Sequence, residues 1–314
     1  MNAPVVSTVL VGWNCRAYLE ACLRSLAAQP DPGDSEVLVV DNASQDGTAE
    51  MVRASFPSAR LIVNPVNLGF AAGNNAGLRL AAGRYCLLLN PATIVHAGAL
   101  AALVGYAEAH PEAWAIGPRI LDPDGSPQRS GVRFPAAWNL LVEALFLDRL
   151  FPRTRCFGAH RELYADPDRP RRVDYLQGSC LLLRAEAIRR VGLLDESFFL
   201  YFEETDWCRR CQDAGGEVHY APVATVTHHG GSGDTHYGER KLLLYHESLL
   251  RFCRKHYAPR RRAAIRAALV LRALVRLAQW SVLALPGLPG RTRARSSVRG
   301  YAGVLRLLLG SGRP

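Results

Sequence analysis

Apolar and polar positions fall into alternating blocks along the first 110 residues. Val5 to Val11 is a β-branched run, and Tyr18, Leu19, Cys22, Leu23 and Leu26 follow at the three- and four-residue spacing of a helix face. Val37-Leu38-Val39-Val40 reads as a second buried strand. It ends at Asp41-Asn42-Ala43-Ser44-Gln45-Asp46-Gly47, a turn rich in capping residues that predicts a helix from about Thr48. Leu61-Ile62-Val63 predicts a third strand, ahead of Asn64 to Phe70 and a small-residue helix from Ala71 to Leu80. A fourth, Cys86-Leu87-Leu88-Leu89, stops at Asn90-Pro91, as a buried parallel strand does on reaching the surface. The alternation predicts an α/β fold with a mainly parallel sheet flanked by helices.

In open sheets of this kind ligands bind beyond the carboxyl ends of the strands, which directs attention to residues 41–47, 64–70 and 90–93. A dehydrogenase-type dinucleotide domain is excluded, because no G-x-G-x-x-G follows the first strand and Gly12-Trp13-Asn14 puts bulk where a pyrophosphate needs close backbone approach. A Walker loop is absent as well. With 314 residues, 49% of them hydrophobic, one main globular domain is expected. Eight cysteines, several inside apolar runs, and no basic stretch in residues 1 to 12 lead to the expectation of reduced cytosolic thiols.

Three of these segments, Val39 to Gly47, Asn67-Leu68-Gly69-Phe70-Ala71-Ala72-Gly73-Asn74-Asn75 and Leu88-Leu89-Asn90-Pro91, together resemble the inverting family 2 glycosyltransferases of GT-A fold, in their rhamnosyltransferase-like branch. Gln177 to Arg184, Phe198 to Cys208 and Val226-Thr227-His228 resemble that family's acceptor-side segments in the same order. The resemblance implies transfer of a sugar, with inversion, from a nucleotide-diphosphate-sugar donor to a saccharide or lipid-linked acceptor in cell-surface polysaccharide assembly. It implies that Asp41 meets the base or ribose, that Asn67, Gly69 and Asn74 shape the nucleotide pocket, and that Asn90 and Thr93 lie at the donor phosphates. A carboxylate at a strand end accepts hydrogen bonds from imide or ribose donors, and glycine admits the ligand close to the backbone. Turn and helix-cap chemistry is the other reading of Asp41 and Asp46; within the set Asp41 is favoured as ligand and Asp46 as cap.

One position departs from the family pattern. The branch commonly carries Asn-Pro-Asp-Thr, whose Asp helps hold a divalent cation on the diphosphate; here that residue is Ala92. Mg²⁺ and Mn²⁺ take hard oxygen ligands and a methyl group offers none. Cation binding would fall to water, the diphosphate, Asn90 or Thr93, and to His228, where the resemblance places a histidine that contacts metal or diphosphate. Two outcomes stand: weakened use of Mg or Mn, or a non-catalytic nucleotide-sugar-binding protein that has lost its metal site.

Phe198, Phe199, Tyr201 and Phe202 precede Glu203-Glu204-Thr205-Asp206, an aromatic wall beside three carboxylates at a helix start. Burial and mutual repulsion raise the pKa of at least one of them. Inverting transfer needs a base for the acceptor hydroxyl, and the resemblance gives that role to Glu204, with Glu203 and Asp206 beside it. The competing reading is that acids in a first helical turn complement the helix dipole. Cys208 and Cys211 have no second pair at zinc-ligand spacing and read as two thiols on one helical face. Asp122-Pro123-Asp124-Gly125 predicts a hairpin turn, and the apolar segment Ala136 to Phe151 predicts a helix, either in a core or flanking the acceptor cleft. Gly230-Gly231-Ser232-Gly233 is expected to be a mobile loop.

Charge divides the chain unevenly. From Arg251 onward there are 15 basic and no acidic residues, which leaves 23 basic against 28 acidic before it. A catalytic domain of residues 1–238 and a helical region of 239–314 are expected, the latter basic and amphipathic from about residue 259. There Arg261, Arg262, Arg266, Arg272, Arg276 and Gln279 share one arc of a helix, with apolar residues elsewhere. The uncharged stretch Leu277 to Gly290 is shorter than the roughly 20 residues of a spanning helix and contains Pro286 and Pro289. The expectation is a cytoplasmic protein, peripheral at the inner face of the cytoplasmic membrane and held to anionic lipid by its tail. Docking of the tail on the catalytic domain is the alternative, and nucleic acid is not an expected partner because it would leave the apolar face unexplained.

Overall fold

The computed structural model describes residues 4–30, 35–230, 240–286 and 289–310. The Gly231-Ser232-Gly233 loop and the domain boundary at Gly238 lie outside the described residues. In chain order the elements begin with β1 (Val6–Gly12), α1 (Arg16–Ala27), β2 (Ser35–Asp41), α2 (Thr48–Ser55), β3 (Arg60–Val63), α3 (Gly69–Leu78) and β4 (Tyr85–Leu89). There follow β5 (Thr93–Val95), α4 (Ala99–Ala109), β6 (Ala113–Leu121), β7 (Pro127–Gln128), β8 (Gly131–Val132), α5 (Ala137–Ala144) and α6 (Leu147–Leu150). The remainder is β9 (Arg171–Arg172), β10 (Tyr175–Leu176), β11 (Cys180–Arg184), α7 (Ala185–Val191), α8 (Glu203–Asp213), β12 (Glu217–His228), α9 (Arg240–His256), α10 (Pro259–Leu283) and α11 (Arg291–Leu309). Two compact units result, one of Met1–Val132 with Asp166–His236 and one of Arg133–Ala165 with Tyr237–Pro314.

The first unit is built on a sheet whose main path runs β3-β2-β1-β4-β11-β6-β12-β5. From β3 to β4 every pairing is parallel, as the alternating blocks predict. The antiparallel β11 then enters between β4 and β6, and β12 pairs parallel with β6 and antiparallel with β5. Every residue of β1 and β4 is buried, because helices cover both faces. Leu10 joins the core on one face, while its neighbours Val9 and Val11 join the core on the other. Each such side chain contributes about 1.5–3 kcal/mol by leaving water. The small residues of α3 have a packing reason: a Cβ at Gly73 or Gly77 would come within 2.6 Å of Val11 or 2.5 Å of Val9, so glycine lets the helix lie close on β1.

These pairings bring the polar strand ends to one edge. Gly12 at the end of β1 pairs with Asp41 at the end of β2, and Thr93 of β5 pairs with His228 at the end of β12. The hairpin at Asp122–Gly125 forms as expected, with Gly125 at φ 82°, and lays Gln128 antiparallel against Ile120.

In the second unit Leu249, Phe252, Ile265, Leu269, Val304 and Leu308 form a buried interior. The segment Arg133–Ala165, assigned from sequence to the 1–238 domain, packs here, with α5 against α10. A buried carboxylate explains the pairing. Glu143 of α5 has His160 Nδ1 at 2.5 Å and Arg272 Nη1 of α10 at 2.9 Å. Burial alone would push its carboxyl up, but the His160 hydrogen bond and the charges of His160, Arg272 and Arg161 outweigh it and hold the group at about 2.

That pairing alters the expected face of α10. Arg276 donates to the Glu143 carbonyl at 3.3 Å and lies 3.9 Å over the Phe146 ring. Arg266 donates to the carbonyls of Leu308 and Gly310 at 2.5 and 2.8 Å. Four of the five arginines of the predicted basic arc are thus engaged inside the unit, since Arg261 lies 3.7 Å over the Tyr257 ring and donates to the Pro135 carbonyl at 3.4 Å, while Leu271, Leu274 and Val282 are exposed. Among the described residues no helix is long and apolar enough to cross a membrane. All eight cysteines are free thiols, and Cys208 and Cys211 are buried side by side in α8.

Candidate functional site

The donor side begins at the end of β2. Asp41 is 1% exposed; its Oδ2 accepts the Ser44 N–H at 3.3 Å, and its buried Oδ1 has no hydrogen-bond partner among the described residues. A buried carboxylate oxygen without a donor costs about 1–3 kcal/mol, which suits a group that completes its bonding with a ligand. Asn42 clamps the neighbouring turn, donating to the Gly69 carbonyl at 2.9 Å and accepting from Asn64 at 2.7 Å. Asp46 accepts the backbone N–H of Thr48 at 3.1 Å and of Arg16 at 2.9 Å, so it caps α2 and α1 together. Burial acts to raise its carboxyl, but these bonds and the Thr48 hydroxyl prevail and leave it below the usual range.

Gly69 joins this turn to the acid-bearing segment. It sits at φ 85°, and a Cβ there would lie 2.3 Å from the Phe199 carbonyl, which accepts the Phe70 N–H at 2.7 Å. Asn67 Oδ1 accepts the Gly69 N–H at 2.9 Å and shapes the same turn. Asn74, 1% exposed, donates to the Phe70 carbonyl at 2.8 Å and braces the start of α3. Its neighbour Asn75, which pattern reading passed over, donates at 2.9 Å to both the Leu194 carbonyl and Glu196, and accepts from the Leu194 N–H at 3.0 Å. Two adjacent buried asparagines in a small-residue helix were the available signal.

At the end of β4, Asn90 Oδ1 accepts the Ala92 N–H at 2.9 Å and Thr93 Oγ1 donates to the Ser179 carbonyl at 3.4 Å. Ala92 is 1% exposed, and its carbonyl accepts the His229 N–H at 2.9 Å, so the turn lies directly against the end of β12. His228 Nδ1 lies 3.2 Å from Gln128 Oε1. The Gln128 amide donates to the His228 carbonyl at 3.1 Å and to Asp122 at 2.5 Å, which turns its Oε1 toward the ring. The ring proton therefore sits on Nδ1 and the basic nitrogen is Nε2. Gln128 was invisible as a functional residue because only the hairpin brings it to His228.

The donor set at this edge holds neutral oxygens and an imidazole, and no carboxylate at position 92. Ala92 brings no oxygen; the Asn90 oxygen accepts from its own turn and the Thr93 hydroxyl donates to Ser179, and each oxygen keeps a lone pair. Among the described residues no group of three His, Cys, Asp or Glu ligands converges here.

On the acceptor side Tyr201 and Phe202 take the left-handed conformation, φ 67° and 68°, and turn the chain into α8. Phe198, Phe202 and Glu203 are almost fully buried. Burial, and then the Glu204 charge, push the Glu203 carboxyl well above the carboxylate range. Burial raises Glu204 too, opposed by hydrogen bonds that include Glu203 and the Gly178 backbone. Gly178 packs on this group, a Cβ there lying 3.7 Å from Glu204 Cδ. Two buried carboxyls side by side share one proton most cheaply, with Glu203 holding it and Glu204 accepting. Asp206 has a different surrounding: 0% exposed, it accepts from Arg210 Nε at 2.8 Å, and Arg210 donates to the Val191 and Leu193 carbonyls at 2.7 and 2.8 Å. That acid locks α8 to the end of α7.

The family model described as Glycosyl transferase family 2 matches residues 7–191. The N-acetylglucosaminyl-diphospho-decaprenol L-rhamnosyltransferase of Mycobacterium tuberculosis is 32% identical over 274 residues, 83% of this chain and 88% of that protein. The rhamnosyltransferase WbbL of Escherichia coli is 28% identical over 169 residues, 51% of this chain and 61% of that one. Among solved structures, the mannosyltransferase PcManGT from Pyrobaculum calidifontis in complex with GDP-Man and Mn²⁺ is similar at a TM-score of 0.60 and 19% identity, covering 99% of this chain and 89% of that chain. This last likeness is one of fold.

Proposed function

Since the chain belongs to glycosyl transferase family 2 and has the GT-A fold, we propose that it moves a deoxyhexose of the rhamnose class from a nucleotide-diphosphate donor to a lipid-linked saccharide in cell-surface polysaccharide assembly. The substrate class rests on the mycobacterial rhamnosyltransferase, which matches along most of both chains. The observation that carries the chemistry is the Glu203–Glu204 pair at the start of α8, packed on Gly178, where burial raises the Glu204 carboxyl. A carboxylate whose pKa is raised toward the working pH takes a proton better than an ordinary one.

In this reading Asp41 Oδ1 accepts a donor N–H or O–H from the nucleotide, and the Asn67–Phe70 turn closes beside it. Glu204 takes the proton of the acceptor hydroxyl as its oxygen bonds to the anomeric carbon. The bond from that carbon to the diphosphate breaks on the opposite side, its electrons leave with the diphosphate, and the configuration inverts. Glu203 keeps its own proton and positions Glu204, while Asp206 holds α8 in place. Mg²⁺ or Mn²⁺ would enter on diphosphate oxygens and water, so metal dependence is weak. The non-catalytic reading is not favoured, since the acid pair at the start of α8 is intact.

The first unit carries this chemistry. The second is the membrane-facing part, at the inner face of the cytoplasmic membrane: it exposes Trp138, Leu150, Phe151, Leu271, Leu274 and Val282 in an arginine-rich setting. Glu204→Gln tests the centre of the proposal. Nucleotide affinity should be retained while transfer slows by about 10² or more, the scale of a lost general base. Equal loss of binding and rate would assign Glu204 a structural role.

A further inference from the structure

At the edge of the sheet where β6 and β12 begin, side chains that take no part in transfer converge. His110, Glu112 and His219 each bring a ligand atom within 4.8 Å of the other two. We propose that they form a metal site, independent of the transfer site and selective for a borderline divalent cation of the Zn²⁺ class. Two imidazoles and a carboxylate are the donor set such ions take, whereas Mg²⁺ prefers oxygen alone.

The backbone under the site is fixed. Arg184 donates to the His110 and Ala113 carbonyls, each at 2.9 Å, and the Glu112 carbonyl accepts the Glu217 N–H at 2.9 Å. The residues between α4 and β6 are thereby tied to β11 on one side and to β12 on the other. The His110 ring stacks on Tyr106 at 4.2 Å and meets the His219 ring edge-on at 5.9 Å. His219, 7% exposed, is held at both nitrogens, with Tyr106 Oη 3.1 Å from Nδ1 and Glu217 Oε2 2.8 Å from Nε2. His110 Nδ1 lies 3.1 Å from Glu112 Oε1.

In the protein alone, ring protons fill these short contacts with carboxylates. A cation takes the same places through a change of tautomer: the His219 proton moves to Nδ1 and is donated to the Tyr106 oxygen, and Nε2 turns its lone pair to the ion. Glu217, beside His219, supplies a fourth ligand or holds a bound water. Two carboxylates balance the charge of a dication. Loaded, the site pins the end of α4 to the starts of β6 and β12, far along β12 from His228.

The test is calorimetric titration of chelator-treated, nucleotide-free, full-length protein with ZnCl₂, followed by Co²⁺ absorption spectra and thermal denaturation. Wild type should bind one tight equivalent, show the visible bands of nitrogen-ligated Co²⁺, and melt higher with Zn²⁺ but not with Mg²⁺. Tyr106→Phe should weaken binding by about 10–100-fold, the usual cost of losing a partner behind a ligand. His110→Ala and His219→Ala should lose more than that. His110 is half-exposed, so its variant keeps the fold and its rate of transfer, whereas His228→Ala should keep the Zn²⁺ affinity of wild type. Absence of a tight equivalent in wild type, equal affinity in wild type and His110→Ala, or loss of the equivalent in His228→Ala would each overturn the proposal.

Discussion

Glu203→Gln should stabilise the protein, and more so as pH rises. The carboxyl is 3% exposed, and burial together with the Glu204 charge hold it well above its usual range. In the unfolded chain the same group ionises near a pKa of about 4.3. Above that pH the fold must keep a proton that the unfolded chain releases, or bury a second charge beside Glu204. A raised folded pKa leaves stability whole below the unfolded value and erodes it as pH rises, until the folded pKa is passed. One such group costs about 1.4 kcal/mol per pH unit, so up to about 2.7 kcal/mol between pH 5 and 7. Glutamine has the same shape, does not titrate, and still offers an N–H to Glu204. The gap in melting temperature between variant and wild type should therefore widen over that interval, by at most about 10 °C at 2–4 °C per kcal/mol for a unit of this size. Melting curves at pH 5, 6 and 7 decide it. Parallel curves, or a variant less stable than wild type at pH 7, would mean that Glu203 is ionised and well paired, and that Glu204 alone carries the raised pKa.

Ala92→Asp adds a hard oxygen ligand at the end of β4; it should weaken nucleotide-diphosphate binding in chelator and strengthen it with Mn²⁺. No change in either condition would place residue 92 away from the donor phosphates. Replacing Leu271, Leu274 and Val282 together by Gln should cut sedimentation with anionic vesicles by about tenfold or more, since each buried apolar side chain is worth ~1.5 kcal/mol or more; wild type ignoring such vesicles at low salt would refute the membrane reading. Deleting residues 259–314 is a poorer test, because it strips α5 of the helix it packs on. Arg272→Met should destabilise by about 3–5 kcal/mol by leaving Glu143 short of a cation, and chemical denaturation measures it. The depressed Glu143 carboxyl gives the sign for wild type: its contribution is whole above the unfolded pKa and is lost as pH falls toward 2, the value the fold imposes.

The parallel half of the sheet was legible because β1, β2 and β4 bury continuous apolar runs that hydropathy alone detects. The polar turn at the end of β2 was legible too, and Asp41 there carries a buried oxygen without a partner among the described residues, as does Glu204 at the start of α8. What escaped depends on partners distant in sequence. Gln128 meets His228 across 100 residues and Asn75 meets Leu194 across 119. A helical arc collects Arg266, Arg272 and Arg276 as one basic face, yet it carries no information about Glu143, whose desolvated carboxylate draws one of them inward. Asp206 likewise reads as a third acid until its Arg210 partner, one turn later, is seen to bind the carbonyls at the end of α7.

For anyone grafting loops into this chain, the contact between Gly69 and Phe199 defines the smallest exchangeable cassette. The turn at 67–70 and the aromatic lead into α8 are stitched by one backbone bond, and a Cβ at position 69 would strike the carbonyl that accepts it. A loop grafted from a relative at either segment alone would bring its own spacing to a junction with no slack. The two segments travel together or the graft fails, even though some 130 residues separate them in the chain.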